Sequence, residues 1–188
     1  MIMFFRKKNN QIVDIAAIIY NKLVKQSRTI GFYKSLGVPD SLDGRFELIV
    51  LHFFFIDYVL DKKKNKNQEI YNEILNIMYK DFDMSLREMG VGDLSVGKKI
   101  YQMTEAFSGR IVTYRKLNLK KVNERNRQAL KRNLYGTVKN IDKNSIDIML
   151  SYIDSSIKNI NNIDLSNIKK NSSIFLDLNR YIDNKKRN

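Results

Sequence analysis

Apolar residues recur along this chain at steps of three and four, and that period is helical. Ile12, Ile15, Ala16, Ile19, Leu23 and Val24 mark one face of a helix over about 11–28, with Asn10 as a candidate cap. Phe32, Tyr33 and Leu36 form a short helical turn that Gly37 ends. Val38-Pro39-Asp40 then turns, because the residue before a proline avoids the helical region. A second long helix is expected over about 41–61, capped by Asp40 or Ser41, with Asp43 in its positive first turn. Its run LIVLHFFFIDYVL is apolar on nearly every side, which marks a buried central helix. The same residue types favour strands, but the run is longer than a usual strand and no turn interrupts it.

A polar, basic linker at 62–67 leads to a third helix over about 68–89, with Ile70, Ile74, Leu75, Met78 and Phe82 on its buried side. A fourth, over about 95–117, carries the stripe Ile100, Met103, Phe107, Ile111, Tyr114 and Leu117. Between them lies the densest motif of the chain, at 81–110. Phe82, Leu86 and Met89 share one helical face, and Asp83 and Arg87 share another at a spacing where opposite charges meet. Gly90 stands where a left-handed C-terminal cap belongs. Asp93 or Ser95 is expected to cap the next helix. The short connection makes the two helices an antiparallel pair.

A fifth helix is expected over about 121–135, with Val122, Leu130 and Leu134 inward and Gly136 as its stop. A sixth follows over about 144–159, carrying Ile146, Ile148, Met149, Tyr152, Ile153 and Ile157. Within the ambiguous stretch 166–183, Ile174, Phe175, Leu176, Leu178 and Tyr181 can dock as a last helix; 184–188 is expected to be disordered. The fold class is all-α: one compact bundle of six to seven helices around the central helix at about 41–61. The organisation is a flexible apolar-then-basic N-terminus at 1–10, a helical domain at 11–160 and a divergent C-terminal segment with a basic tail at 161–188.

Composition narrows the chemistry. The 188 residues suffice for one domain with a real core, and a single proline suits long helices. With no cysteine there is no disulfide, thiolate metal site or thiol nucleophile, and one histidine excludes a His-rich metal centre. The net charge of +14 favours polyanions such as RNA, ribosomes or anionic headgroups, although the abundance of Lys and Asn also follows from genome composition. The charge peaks over 110–139, where ten basic residues face the single acid Glu124. Arg115, Lys116, Lys120, Lys121, Arg125, Arg127, Lys131 and Arg132 are its candidate polyanion contacts; the competing reading is a solvated helix face. MIMFF precedes Arg6, Lys7 and Lys8, the reverse of a signal peptide, so it reads as a frayed end or an interfacial anchor. No segment has the length and apolarity of a spanning helix. The expected location is cytoplasmic, with peripheral attachment to the inner face of the cytoplasmic membrane as an option.

Candidate catalytic groups are few. His52 sits among Leu, Val and Phe; Glu47 and Asp57, each five residues away, are off its helical face, so it reads as a core histidine. Asp81, Asp83, Glu88 and Asp93 offer hard oxygen ligands, but Arg87, Lys98 and Lys99 compete for them, so ion pairing and capping is the favoured reading over a metal site. GVGDLSVGKK lacks the spacing and the preceding strand of a phosphate-binding loop. No cofactor is expected, and no enzyme.

DMSLREMGVGDLSVGKK followed by AFSGR, together with SLGVPDSLDGRFELIVLH at 35–52, resembles the ubiquinol–cytochrome c chaperone family, which assembles the cytochrome bc1 complex, or complex III. ALKRNLYGT at 129–137 carries a weaker resemblance. The resemblance spans about 20–137 and stops by about 141; Ser108 departs from it where the family has an aromatic. The matching positions are Gly37, Pro39, Asp40, Asp43, Gly44, Arg45 and Phe46 in one signature. Asp83, Arg87, Glu88, Gly90, Gly92, Asp93, Gly97, Gly109 and Arg110 match in the other. The resemblance implies a helical, non-enzymatic chaperone of bacterial type whose client is newly made cytochrome b or another bc1 subunit, met at the ribosome or the membrane surface. It also implies a small partner protein. The rival readings are a basic RNA- or ribosome-binding module without a chaperone role, and a carrier of a quinone- or lipid-like ligand.

Overall fold

A computed structural model describes residues 2–62, 67–118, 123–165, 168 and 173–187; for 2–9, 61–62 and 184–187 it describes the backbone. Its elements are α1 (Ile2–Ser27), α2 (Ile30–Lys34), α3 (Leu42–Lys62), α4 (Gln68–Glu88), α5 (Asp93–Arg115), α6 (Glu124–Asn133), α7 (Lys143–Ile160) and α8 (Leu178–Arg187). Seven have ten residues or more and α2 has five, with no strand among the described residues. The all-α bundle expected from the periodicity is the observed fold.

The central helix is α3. From Glu47 to Leu60 every side chain is buried except the half-buried Ile49 and Tyr58. It packs against α1, α4, α5 and α7. Its phenylalanines meet neighbouring rings edge-on: Phe53 with Phe107 at 4.9 Å and with Tyr71 at 5.5 Å between centroids. Each buried ring contributes on the order of 1.5–3 kcal/mol, so α3 holds much of the core's apolar area. α1 lies along α4, where the Tyr20 hydroxyl donates to Asp81 at 2.6 Å. α7 covers the far side of α3.

Several boundaries differ from expectation for local reasons. α1 begins at Ile2, and Asn10 lies inside it, because neither glycine nor proline separates the apolar and basic residues there. Ser41 caps α3, its Oγ accepting from the Gly44 N–H at 3.2 Å. α5 starts after Gly92, with no side-chain cap: Asp93, inside the helix, pairs with Arg87 instead. Asp142 caps α7 through the Ser145 N–H. Met89 leaves the Phe82–Leu86 face and is exposed, since the chain is already turning at Gly90. Ile174 and Phe175 are buried but precede the last helix, which starts only at Leu178 and carries its backbone through 184–187, where disorder was expected. Val122 and most of the 62–67 linker lie outside the described residues.

His52 is a core residue. Its Nδ1 lies 2.7 Å from the Leu48 carbonyl, which can only accept, so Nδ1 carries the proton. Nε2 then accepts from the Tyr152 hydroxyl at 3.0 Å, and the Tyr152 oxygen accepts from Gln26 Nε2 at 3.0 Å. Gln26 also donates to the Leu176 carbonyl at 2.8 Å. One chain of bonds thus ties α1, α3, α7 and the segment before α8. Burial pushes the His52 pKa down to about 4, against the opposing pull of the Leu48 bond. The neutral ring is therefore the folded form. The unfolded chain binds a proton near pH 6.5 and the folded chain only near 4, so stability is full above 6.5 and falls as pH drops between those values.

Two outcomes follow for stability. Urea unfolding of the wild type should lose about 3 kcal/mol between pH 6.5 and 4 through this group. His52→Gln should remove the part of that slope lying between pH 6.5 and 5, where few carboxylates titrate. Glycines should behave oppositely by position. A Cβ on Gly44 would stand 1.9 Å from the Pro39 carbonyl oxygen, whereas one on Gly97 meets nothing within 4 Å. Gly44→Ala should cost about 3 kcal/mol and Gly97→Ala should stabilise by about 0.5–1 kcal/mol, both read by thermal denaturation.

Candidate functional site

The signature segments are distant in sequence and adjacent in space. Three of them wall one groove of about 420 Å³. The start of α3 supplies Leu42, Asp43, Gly44, Phe46 and Glu47; α4 and α5 supply Leu86, Lys99, Gln102, Met103, Ala106 and Arg110; the end of α6 and the turn beyond supply Arg132, Asn133, Leu134, Gly136 and Thr137. Gly44 is required for this shape: without a side chain, α3 begins against the Pro39 carbonyl and the first signature folds back on itself. Gly37 makes the preceding turn at φ 70°, a conformation that L side chains rarely adopt.

One ion pair joins the groove's two main walls. Arg110 on α5 grips Glu47 on α3 through Nη2 at 2.8 Å and Nε at 3.0 Å. The Glu47 side chain is 8% exposed and that of Arg110 29%. Burial raises the Glu47 pKa, and the Arg110 bond and charge offset part of that rise. Two polar atoms beside the pair are left over. The Tyr114 hydroxyl is buried without a hydrogen-bond partner among the described residues, and so is Asn133 Nδ2 on the groove wall. The apolar lining is Leu42, Phe46, Leu86, Met103, Ala106 and Leu134, with the Phe46 ring 5.7 Å from that of Phe82. A concave trough of apolar side chains with a few convergent polar groups is the usual form of a binding site.

The remaining signature residues are mostly elsewhere. Asp40 pairs with Arg45 at 2.8 Å on the surface. Arg87 holds Asp83 at 2.6 Å and also Asp93, clamping the α4–α5 turn from the outside. Glu88 is exposed at the end of α4, and Gly90 turns at φ 81°. Gly92, Gly97 and Gly109 face open space. Ser108 is exposed, so no ring is missing from the core at that departure. Among the described residues no group of acids could hold a metal ion.

The basic candidates divide into two kinds. Arg115 grips Asp57, a carboxylate 1% exposed in the middle of α3, at 2.7 and 2.8 Å. Arg127 grips Asp147 on α7 at 2.6 and 3.0 Å and reaches Glu124 at 3.5 Å. These two arginines hold helices together. Lys116, Arg125, Lys131 and Arg132 are exposed, with no carboxylate partner among the described residues. Lys120 and Lys121 lie outside the described residues. The partners Glu47, Asp57 and Asp147 were not singled out as site residues; an acid on an otherwise apolar helix face was the available signal, because buried acids are almost always paired.

Residues 34–175 match the family model described as ubiquinol-cytochrome C chaperone. The match runs beyond the 20–137 limit of the motif resemblance and takes in α7 and the segment before α8. Among solved structures the chain is similar to one described as the crystal structure of the Cbp3 homolog from Brucella abortus. The TM-score is 0.77 at 24% identity, over 96% of this chain and 99% of that one. At that identity the similarity shows a shared fold. No curated protein matches.

Removing one member of the Glu47–Arg110 pair should be worse than removing both. Arg110→Met should destabilise by about 3 kcal/mol, because it strands a buried carboxylate. Adding Glu47→Gln should recover most of that loss in a double-mutant cycle read by urea unfolding.

Proposed function

The chain belongs to the ubiquinol–cytochrome c chaperone family, and we propose that it is a non-enzymatic assembly chaperone for the cytochrome bc1 complex. Its client in this reading is newly made cytochrome b, or another bc1 subunit, held by an apolar segment in the groove between α3, α5 and the end of α6. The observation that carries the proposal is the convergence of three signature segments on that one groove. An amphipathic or wholly apolar client helix would lay side chains against Phe46, Met103 and Leu86 and turn a backbone or side-chain acceptor toward Asn133. We assign no catalytic step, since the single imidazole is fully buried and bonded within the core.

A second reading is supported by the cations that have no carboxylate partner among the described residues. Lys116, Arg125, Lys131 and Arg132 form an exposed basic surface at α6 and the end of α5. It would place the chaperone at ribosomal RNA or on the anionic inner face of the cytoplasmic membrane. Attachment would be peripheral, because no helix among the described residues is long and apolar enough to cross a membrane. A small partner protein would then share the client's load.

Deleting the gene should lower assembled bc1 complex, and reintroducing the wild type should restore it. Ala106→Glu, which puts a charged side chain into the groove from a half-buried helix position, should fold but fail to restore it. Unchanged bc1 levels in the deletion strain, measured by haem spectra and native gels, would overturn the chaperone reading. Full rescue by a stably folded Ala106→Glu protein would overturn the groove.

A further inference from the structure

A second hollow, of about 160 Å³, opens between the end of α5 and the face of α6 that carries Arg125, Ala129 and Arg132. Thr113, Lys116 and Leu117 line one side; Arg125, Asn126, Ala129 and Arg132 line the other. Arg125, Ala129 and Arg132 fall on one face of α6 at i, i+4 and i+7. The small Ala129 between two long arginines leaves the space open. The volume is that of about five waters, which suits one compact ionic group.

The hollow is built before any ligand arrives. Asn126 is 2% exposed and clasps the chain beyond α5: its Nδ2 donates to the Asn118 carbonyl at 2.7 Å, and its Oδ1 accepts from the Asn118 N–H at 3.3 Å. Its own N–H is held by the Asn123 cap at 2.9 Å. The two walls are therefore fixed relative to each other.

Its charge is uncompensated. Among the described residues Lys116, Arg125 and Arg132 make no ion pair, whereas their neighbours Arg110, Arg115 and Arg127 each hold a carboxylate. Arg125 also sits in the first turn of α6, where the helix's partial positive charge disfavours a cation. A lysine and two arginines around one hollow, one of them placed against the local field, make it attractive to an anion.

We propose that this hollow is a seat for a single phosphate group, either the headgroup phosphate of an anionic phospholipid or free inorganic phosphate. Arg125 and Arg132 would donate to its oxygens and Lys116 would add a point charge. The proposal rests on the second, basic-surface reading and narrows it to three residues. Its test spares the client groove, because Lys116 and Arg125, the two residues replaced, do not line it.

The test compares the wild type with Lys116→Gln/Arg125→Gln and with Lys34→Gln/Lys98→Gln, which removes the same charge from exposed positions elsewhere. Binding is measured by flotation with vesicles of phosphatidylglycerol in phosphatidylcholine, and by calorimetry with inorganic phosphate. In whichever arm the wild type binds, the hollow variant should lose about tenfold or more in affinity and the control variant about twofold or less. Vesicle binding competed by inorganic phosphate assigns the lipid; phosphate binding without flotation assigns the free ion. Equal losses in the two variants, or no wild-type binding in either arm, would overturn the site.

Discussion

Two carboxylates buried on the most apolar helix organise this molecule. Glu47 and Asp57 lie on α3, 6% and 1% exposed, and a buried carboxylate left without a partner is costly. Both are answered from one neighbouring helix, by Arg110 and Arg115 of α5. Five residues separate the arginines and ten separate the acids, so the pairs form only at one crossing of α5 over α3. Shifting α5 by one turn would leave two charges stranded in the core. Such pairs add little net stability compared with an apolar packing of the same volume; what they supply here is register.

Register is what the groove needs. The first signature begins α3 and the second runs through α5, so their mutual placement decides whether Phe46 faces Met103 and whether Arg110 reaches Glu47. The more conspicuous charges of the second signature act elsewhere. Asp83, Arg87 and Asp93 form pairs that are half-exposed or more, and exposed pairs contribute about 0–1 kcal/mol. They hold the α4–α5 turn while the buried pairs set the crossing. The densest motif in the sequence thus has two parts: Asp83, Arg87 and Asp93 clasp the turn, while Leu86, Met103 and Arg110 wall the groove.

The elements that were legible in the sequence are those decided locally. The unbroken apolar run named α3 as the central helix, and i+3/i+4 stripes located α4, α5 and α7, because a helix's buried face is a property of its own period. Gly37 and Gly90 announced turns that do adopt positive φ. What was not legible depends on distant partners. Arg115 and Arg127 read as surface cations because Asp57 is 58 residues away and Asp147 is 20 away. Asp93 read as a cap because nothing local shows that Arg87 reaches it first. Met89 obeyed the period but fell just past the last helical residue, at the start of the turn. Ile174 and Phe175 dock on the core as their apolar character suggested, but outside any helix, where they have no period to follow.

The same pairing logic separates the chain's basic character into parts with different roles. A net charge of +14 looks like one property, yet three arginines in the basic segment neutralise acids and fasten helices. Only what remains is a surface charge in the sense that attracts polyanions. That remainder is not spread evenly: Lys116, Arg125 and Arg132 gather at one hollow. Arg132 lines that hollow and the groove alike. An anion bound on one side would neutralise the cation that a client meets on the other. The two sites therefore share a charge, and occupancy of either must alter the electrostatic field of its neighbour.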